Sequence, residues 1–381
     1  MFCQLMAILQ SEMGKYNRIR ELAPLVELMK ASTLLLLVVI RVPVFAQSPC
    51  DTSGPIPYKD HEKWGYLSAN GIAIPPQFDS AGPFTTDGAV ACVGDQCGLI
   101  DKNGSFTAPT WNRQSRPFPE NYSEGLAPAT KDGQWGYVDL GRNVVIPFQF
   151  KYAGQFDQGL ARVNKDNKFF FITHNGTRAT PEFDGAFDFH EDLAAVVVGE
   201  NVGYIRRDGT LAMPPIHQSA SGIDFSEGLV AVRVNGKVGF MDKTGTIVIQ
   251  PKYDDVFPFS DGLAPVELGA KWGYVDRAGK VVVQIQYDIG HMFSEGLASV
   301  ELGNKWGYID RSGHFTIPAT FESAMPFCSG VAEVETFRKI GKASDGSRAE
   351  LYRGKHGMID HAGNYVWRDV EEQTWSSSFR F

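Results

Sequence analysis

Trp272-Gly273-Tyr274-Val275-Asp276 returns 34 residues later as Trp306-Gly307-Tyr308-Ile309-Asp310, and that recurrence decides the fold. Two further copies are Trp64-Gly65-Tyr66-Leu67 and Trp135-Gly136-Tyr137-Val138, and weaker ones begin at Cys97, Phe169, Val202, Val238 and His356. Consecutive copies start 33, 38, 34, 33, 36, 34, 34 and 50 residues apart. A fixed period of this length marks a repeat architecture, in which one supersecondary unit cannot bury its own apolar face and stacks on its neighbours. The last gap is longer because residues 337–353 insert a polar stretch, and insertions of this kind map to loops.

A second motif runs in phase with the first: Tyr122-Ser123-Glu124-Gly125-Leu126, Phe225-Ser226-Glu227-Gly228-Leu229 and Phe259-Ser260-Asp261-Gly262-Leu263, with relatives at Phe84, Phe156, Phe189, Phe293 and Phe327. Between the two lies a proline followed by an aromatic and an acid, as in Pro76-Gln77-Phe78-Asp79 and Pro251-Lys252-Tyr253-Asp254. Alternation and enrichment in Val, Ile, Tyr and Trp give each unit about three short strands. Asp242 to Gly245, Asp276 to Gly279 and Asp310 to Gly313 place an Asp first and a Gly fourth between the last two strands. This is turn chemistry: the carboxylate caps backbone N–H groups and Gly takes the left-handed position. The rival reading, a ladder of calcium ligands, is poorly supplied, since calcium takes six to eight oxygens and each unit offers one Asp.

The expected fold is therefore all-β: about nine units of some 34 residues, each of three antiparallel strands, with no helix after residue 46. Propellers typically have four to eight blades of four strands. Nine three-stranded units suit neither count, so an open twisted array is favoured, with a closed propeller-like ring as the alternative. The expected organisation is an N-terminal lead over 1–46, a short linker over 47–57, the repeat domain over 58–368 and a tail over 369–381.

These phased copies resemble the WG repeat family, named for the Trp-Gly pair. The resemblance implies a mostly bacterial repeat module that mediates interactions. Five units depart from the pattern at the Trp itself, so no function that needs every Trp is implied here. Trp64, Trp135, Trp272 and Trp306 read as packing residues between sheets, each followed by a Gly (Gly65, Gly136, Gly273, Gly307) that lets another chain segment approach. Their replacement by Val202 and Val238 suits a core position better than a glycan platform. Trp111, Trp367 and Trp375 lie outside the repeated position and are the candidate ligand-facing aromatics. The acids of the second motif, Glu124, Glu227, Asp261 and Glu295, read as turn residues, with a negatively charged face for a cationic partner as the functional alternative.

Residues 34–40, Leu-Leu-Leu-Leu-Val-Val-Ile, follow Met29-Lys30 and precede Val44-Phe45-Ala46. That arrangement reads as a signal peptide cleaved after Ala46, with translation starting at Met29 and the mature chain free of a spanning segment. Export permits disulfides. Cys92 and Cys97 flank Val93-Gly94-Asp95-Gln96, and a tight turn there sets them opposite each other, as a disulfide or as two unbonded apolar residues. Whether Cys50 pairs with Cys328 depends on whether the array closes.

With 43% apolar and 21% charged residues the chain is a folding one, and a net charge of −8 disfavours nucleic acid as a partner. No zinc H-E-x-x-H pair, G-x-S-x-G elbow, phosphate loop or dinucleotide fingerprint occurs, and the histidines are scattered over different units. No cofactor and no metal is expected. The expected function is a non-enzymatic, exported interaction or scaffold module holding another envelope or extracellular protein. A cell-wall or polysaccharide binder using exposed aromatics is the alternative, and a hydrolase a distant third.

Overall fold

The computed structural model describes residues 54–107, 110–112, 114, 118–119, 121–217, 224–342, 350–369 and 373–376. The N-terminal lead, the proposed cleavage site and Cys50 lie outside them.

The described strands form nine antiparallel sheets, and each repeat unit is one sheet. We number these blades 1 to 9 in chain order, spanning 56–78, 80–112, 118–150, 152–183, 185–217, 225–253, 255–287, 289–321 and 323–368. Blade 7 shows the plan: Asp255–Val256, Leu263–Glu267, Trp272–Asp276 and Val281–Tyr287 pair in that order. Most blades thus gain a short first strand that alternation alone does not reveal, since in blades 7, 8 and 9 it is two residues long.

Across the second and third strands, Glu267 faces Trp272 and Pro265 faces Tyr274. Between the third and fourth strands the register slips: Trp272 pairs with Tyr287 but Tyr274 with Val283, so the fourth strand bulges past Gly273. A Cβ on Gly273 would come within 2.7 Å of Ile285 Cα, and one on Gly136 within 2.6 Å of Ile146 O. Glycine is required there because backbone occupies the place of a side chain. Each fourth strand is an edge, and Pro76, Pro147, Pro251 and Pro318 within it remove ladder donors from that edge.

No blade buries its apolar face alone. Tyr274 and Trp272 of blade 7 share a core with Phe293, Ala298 and Val300 of blade 8, and Tyr308 of blade 8 shares one with Phe327, Ala332 and Val334 of blade 9. The same contact closes the molecule. Tyr58 and Leu67 of blade 1 pack with Met358 of blade 9, Tyr58 meets Trp367 edge-on at 5.7 Å, and Ala69 N donates to Ser329 O at 2.9 Å. The molecule is a closed, nine-bladed, propeller-like ring and not the open array that the strand count favoured. That count failed on the short first strands. Blade 9 also fits blade 1 with the same face-to-face packing that joins all other neighbours.

The insertion at 337–353 is only partly a loop. It lengthens two strands of blade 9, Ala332–Lys342 and Glu350–Ile359, into a long hairpin, and strand Gln373–Ser376 pairs along it through Leu351 to Gly354. The segment expected to be a tail therefore contributes a strand.

The repeated turn aspartates cap as expected. Asp242 accepts the N–H groups of Thr244 (2.8 Å) and Thr246 (3.0 Å), and Asp310 those of Ser312 (2.8 Å) and His314 (3.1 Å). Bonds from the Thr244 and Ser312 hydroxyls, then from these N–H groups, hold both carboxyls below the usual carboxylate range. A carboxyl depressed by folding stabilises the fold above its unfolded pKa and loses that contribution as pH falls through its folded one. Thermal unfolding between pH 7 and pH 3 checks this: Asp242→Asn and Asp310→Asn keep a capping group but flatten the loss of stability below about pH 4.

The seam gives a second expectation. Met358 is buried, and Met358→Ala lowers unfolding free energy in urea by about 2 to 4 kcal/mol, as a core truncation does. In an open array Met358 would be a terminal surface residue and the change would be near zero.

Candidate functional site

Antiparallel strands alternate in direction, so the ring has two rims. One carries the loops between first and second strands and the Asp-initiated turns. The other carries the hairpin tips between second and third strands and the links between blades.

On the first rim the acids of the F-S-E-G loops are consumed within the protein. Ser226 and Leu229 exchange backbone bonds of 3.0 and 3.1 Å around a two-residue turn with Glu227 at φ 52° and Gly228 at φ 76°. A non-glycine residue with positive φ is strained. The Glu227 carboxylate offsets this by accepting the N–H of Gly262 in the next blade at 2.9 Å, while the Ser226 hydroxyl donates to Phe259 O at 2.6 Å. The clasp recurs from Asp87 to Gly125, Glu124 to Gly159, Glu191 to Gly228, Asp261 to Gly296 and Glu295 to Gly330. A basic side chain from the next blade often completes it: Lys243 lies 3.2 Å from Glu191, His174 lies 2.9 Å from Glu124 and stacks on Phe156, and His361 lies 3.2 Å from Glu295 and stacks on Phe327. Between blades 4 and 5 the clasp position is Gln158, and Arg207 instead pairs with Asp157 at 3.1 Å across Phe189. These carboxylates are structural groups held by their neighbours. Glu227→Ala is expected to cost about 1.5 to 3 kcal/mol in urea unfolding, and Glu227→Gly less, because Gly loses the clasp but relieves the positive φ.

The tryptophans read as packing residues between sheets do line the inter-blade cores, but they are not the most enclosed rings of the aromatic spine. Trp272 is buried, but Trp64, Trp135 and Trp306 are half-buried near the tip rim. The fully enclosed ring is the Tyr two residues on. Tyr137, Tyr274 and Tyr308 meet Phe156, Phe293 and Phe327 of the next blade at 4.9 Å, and their hydroxyls donate to Gly154 O, His291 O and Met325 O at 2.7 to 2.8 Å. The signal was in the repeats themselves. Seven of nine units keep Tyr or Phe at that position, whereas four of nine keep the Trp.

Cys92 and Cys97 form a disulfide across a hairpin pair with Cα atoms 4.0 Å apart, at the place where blade 7 has Glu267 and Trp272. Cys328 is also disulfide-bonded. Of the candidate ligand-facing aromatics, Trp111 is 5% exposed and packs with Cys92, Cys97 and Tyr122, so it presents no face to a ligand. Trp367 is half-buried at the seam against Tyr58 and His356. Trp375 lies on the strand beside the long hairpin, opposite Tyr352, and its side chain is outside the described residues.

Exposed apolar groups occur on the outer strands just after the Asp turns, as at Ile72, Val144 and Leu211, and again along the tip rim. Val198, Val234, Leu268 and Leu302 stand at the hairpin tips of four consecutive blades, 5 to 8, and are 38 to 45% exposed. The tips are held in place. Asp254 bonds Lys237 of its preceding blade at 2.5 Å and Gly269 N of its following one at 2.8 Å; Asp288 does the same with Lys271 and Gly303 N, and Asp184 with Lys168 and Gly199 N. The lysine bonds, then the glycine N–H bonds, hold these three carboxyls below their ordinary range. The long hairpin of blade 9 rises from the same rim. In blade 3 the rim has a shallow depression lined by Thr130, Lys131, Asp132, Gly133 and Trp135.

Among the described residues, no helix is long and apolar enough to cross a membrane. No curated protein matches the sequence. Among solved structures, a crystal structure of the eukaryotic initiation factor aligns with TM-score 0.54 at 14% identity, covering 84% of this chain and 97% of that one. The WD40 domain of SCAP from fission yeast aligns with TM-score 0.32 at 11% identity over 67% of this chain and 86% of that one. Kluyveromyces lactis Hsv2 aligns with TM-score 0.34 at 8% identity over 74% and 95%. At 14% identity the likeness to the first of these is one of fold. The family model described as WG containing repeat matches residues 64–94, 135–169, 173–201, 203–237, 239–272, 272–306 and 306–336. With that model matched over more than half its length, and with each repeat folded as one blade of a closed ring, the chain belongs to the WG repeat family.

Proposed function

We propose that this protein is an exported, non-enzymatic interaction module that holds another envelope or extracellular protein on its tip rim. The observation that carries the reading is the arc of exposed apolar tips Val198, Val234, Leu268 and Leu302 on four adjacent blades. Each tip is fixed by a carboxylate bridge, or follows directly on a paired strand, so little ordering entropy is lost when a partner docks. The signal-like segment at 34–46 and the Cys92–Cys97 disulfide support an oxidising compartment outside the cytoplasm. A glycan-binding reading has one specific support, the half-buried Trp135 flanked by Thr130, Lys131 and Asp132 in the blade 3 depression.

The test is affinity capture from an envelope extract at two salt concentrations, with the full chain and with a variant carrying Val198→Ser, Val234→Ser, Leu268→Ser and Leu302→Ser. These positions are exposed, so the variant folds as the parent does. A discrete protein retained by the parent and lost by the variant is the expected result. Glycan enrichment that disappears with Trp135→Ala would replace this reading with the wall-binding one.

A further inference from the structure

The second-strand residue that pairs with the Trp position of the third strand, close to the tip, is neutral or basic in blades 1 to 6: Lys59, Cys92, Thr130, Asn164, Val197 and Arg233. In blades 7, 8 and 9 it is Glu267, Glu301 and Glu335, of which the first two are followed by a tip leucine and the third by Thr336 and the long hairpin. The change of sign runs against folding. Arg233 of blade 6 reaches Asp255 of blade 7 at 3.7 Å, a favourable pairing. Glu267 stands directly opposite Asp255 in the strand register, and Glu301 adjoins Asp288 through the bond from Asp288 N to Glu301 O. Like charges placed opposite each other on adjacent strands destabilise a sheet.

Both glutamates are half-buried, and among the described residues neither has a lysine, arginine or histidine within ion-pair distance. The lysines of this rim are committed elsewhere, Lys271 to Asp288 and Lys305 to Glu322. Burial, and then the neighbouring Asp255 and Asp254 for Glu267 and Asp288 for Glu301, push both carboxyls above their ordinary range. Each lies one residue before an exposed leucine, Leu268 or Leu302. Two adjacent blades therefore present the same pair, an uncompensated carboxylate beside an apolar tip.

We propose that the rim of blades 7 and 8 docks a cationic amphipathic segment of a protein partner. Its Lys or Arg side chains meet Glu267 and Glu301, and its apolar side chains cover Leu268 and Leu302. This rests on the interaction-module reading and names the chemistry of the partner's contact. Charge complementarity selects it: an acidic or purely apolar segment would leave the two carboxylates desolvated and without a counter-charge.

The probe is a fluorescent peptide of alternating Leu and Lys, compared with otherwise identical peptides carrying Ser or Glu in place of Lys, titrated against the full chain by anisotropy. The expected result is binding of the Lys peptide alone, weakened about tenfold or more by Glu267→Gln with Glu301→Gln and by raised salt. It should be unchanged by Asp132→Asn at the blade 3 tip. The Gln variant should melt no lower than the parent, because it removes a like-charge contact, and this excludes unfolding as the cause. Equal binding by parent and Gln variant, or equal binding of the Ser peptide, overturns the proposal. In the extract capture, a partner lost with Leu268→Ser and Leu302→Ser but retained by the Gln variant would sink the cationic contact and leave the interaction module standing. A partner that neither variant loses would sink both.

Discussion

Seven of the nine blades depend on the contact between the Tyr or Phe of their third strand and the Phe of the next unit's loop. Tyr–Phe pairs with centroids about 4.9 Å apart sit at successive blade boundaries, and each Tyr hydroxyl finds a carbonyl in the next blade. Such an aromatic pair contributes about 0.5 to 1.5 kcal/mol beyond the area it buries, and its hydroxyl bond about 1 kcal/mol more. A single blade leaves the tyrosine face bare and the hydroxyl without its acceptor. Stability is therefore a property of interfaces, as in other repeat proteins, where intrinsic and nearest-neighbour terms add. Clasps on one rim and lysine-aspartate-glycine bridges on the other lock the same interfaces from their two ends.

Most contacts join units adjacent in the chain, and the seam is the exception. Ser329 Oγ donates to Gly54 O across 275 residues. Loop closure over such a span carries an entropic cost that grows slowly with length, so the seam is most easily made after the blades between have ordered. The seam also uses its own residues. Ser329 replaces the acid of the clasp, and Ala69 the usual basic side chain, so closure relies on Tyr58, Leu67, Met358 and Trp367.

The period, the strand content and the capping aspartates were legible because each is written in residue type at fixed spacing. Asp242 and Asp310 cap in the structure as their spacing to Gly245 and Gly313 implies. Ring closure was not legible. A two-residue first strand such as Asp255–Val256 is too short to alternate, and counting three strands per unit argued against a propeller. The clasps were hidden for another reason. The partner of Glu227 is a backbone N–H, which every residue but proline carries, so no side chain signals the bond. Trp272 drew attention by its rarity, while the more regularly kept aromatic at Tyr274 marked the true spine. The tip rim was legible only as composition. That Leu268 and Leu302 are exposed beside Glu267 and Glu301 follows from hairpin geometry and not from the hydrophobic pattern, which would place leucines inside.

The clasps also give the ring a direction. In every one the carboxylate belongs to the earlier blade and the N–H to the later, so neighbours meet head to tail and no two blades are related by a two-fold axis. In a heterologous ring of this kind each unit stands in the same relation to its successor, and where the polypeptide starts is a matter of covalent history and not of architecture. A gene that began at another blade, with its old ends joined across the seam, would specify the same circle. Duplicating or deleting a unit, by contrast, changes the angle each interface must subtend.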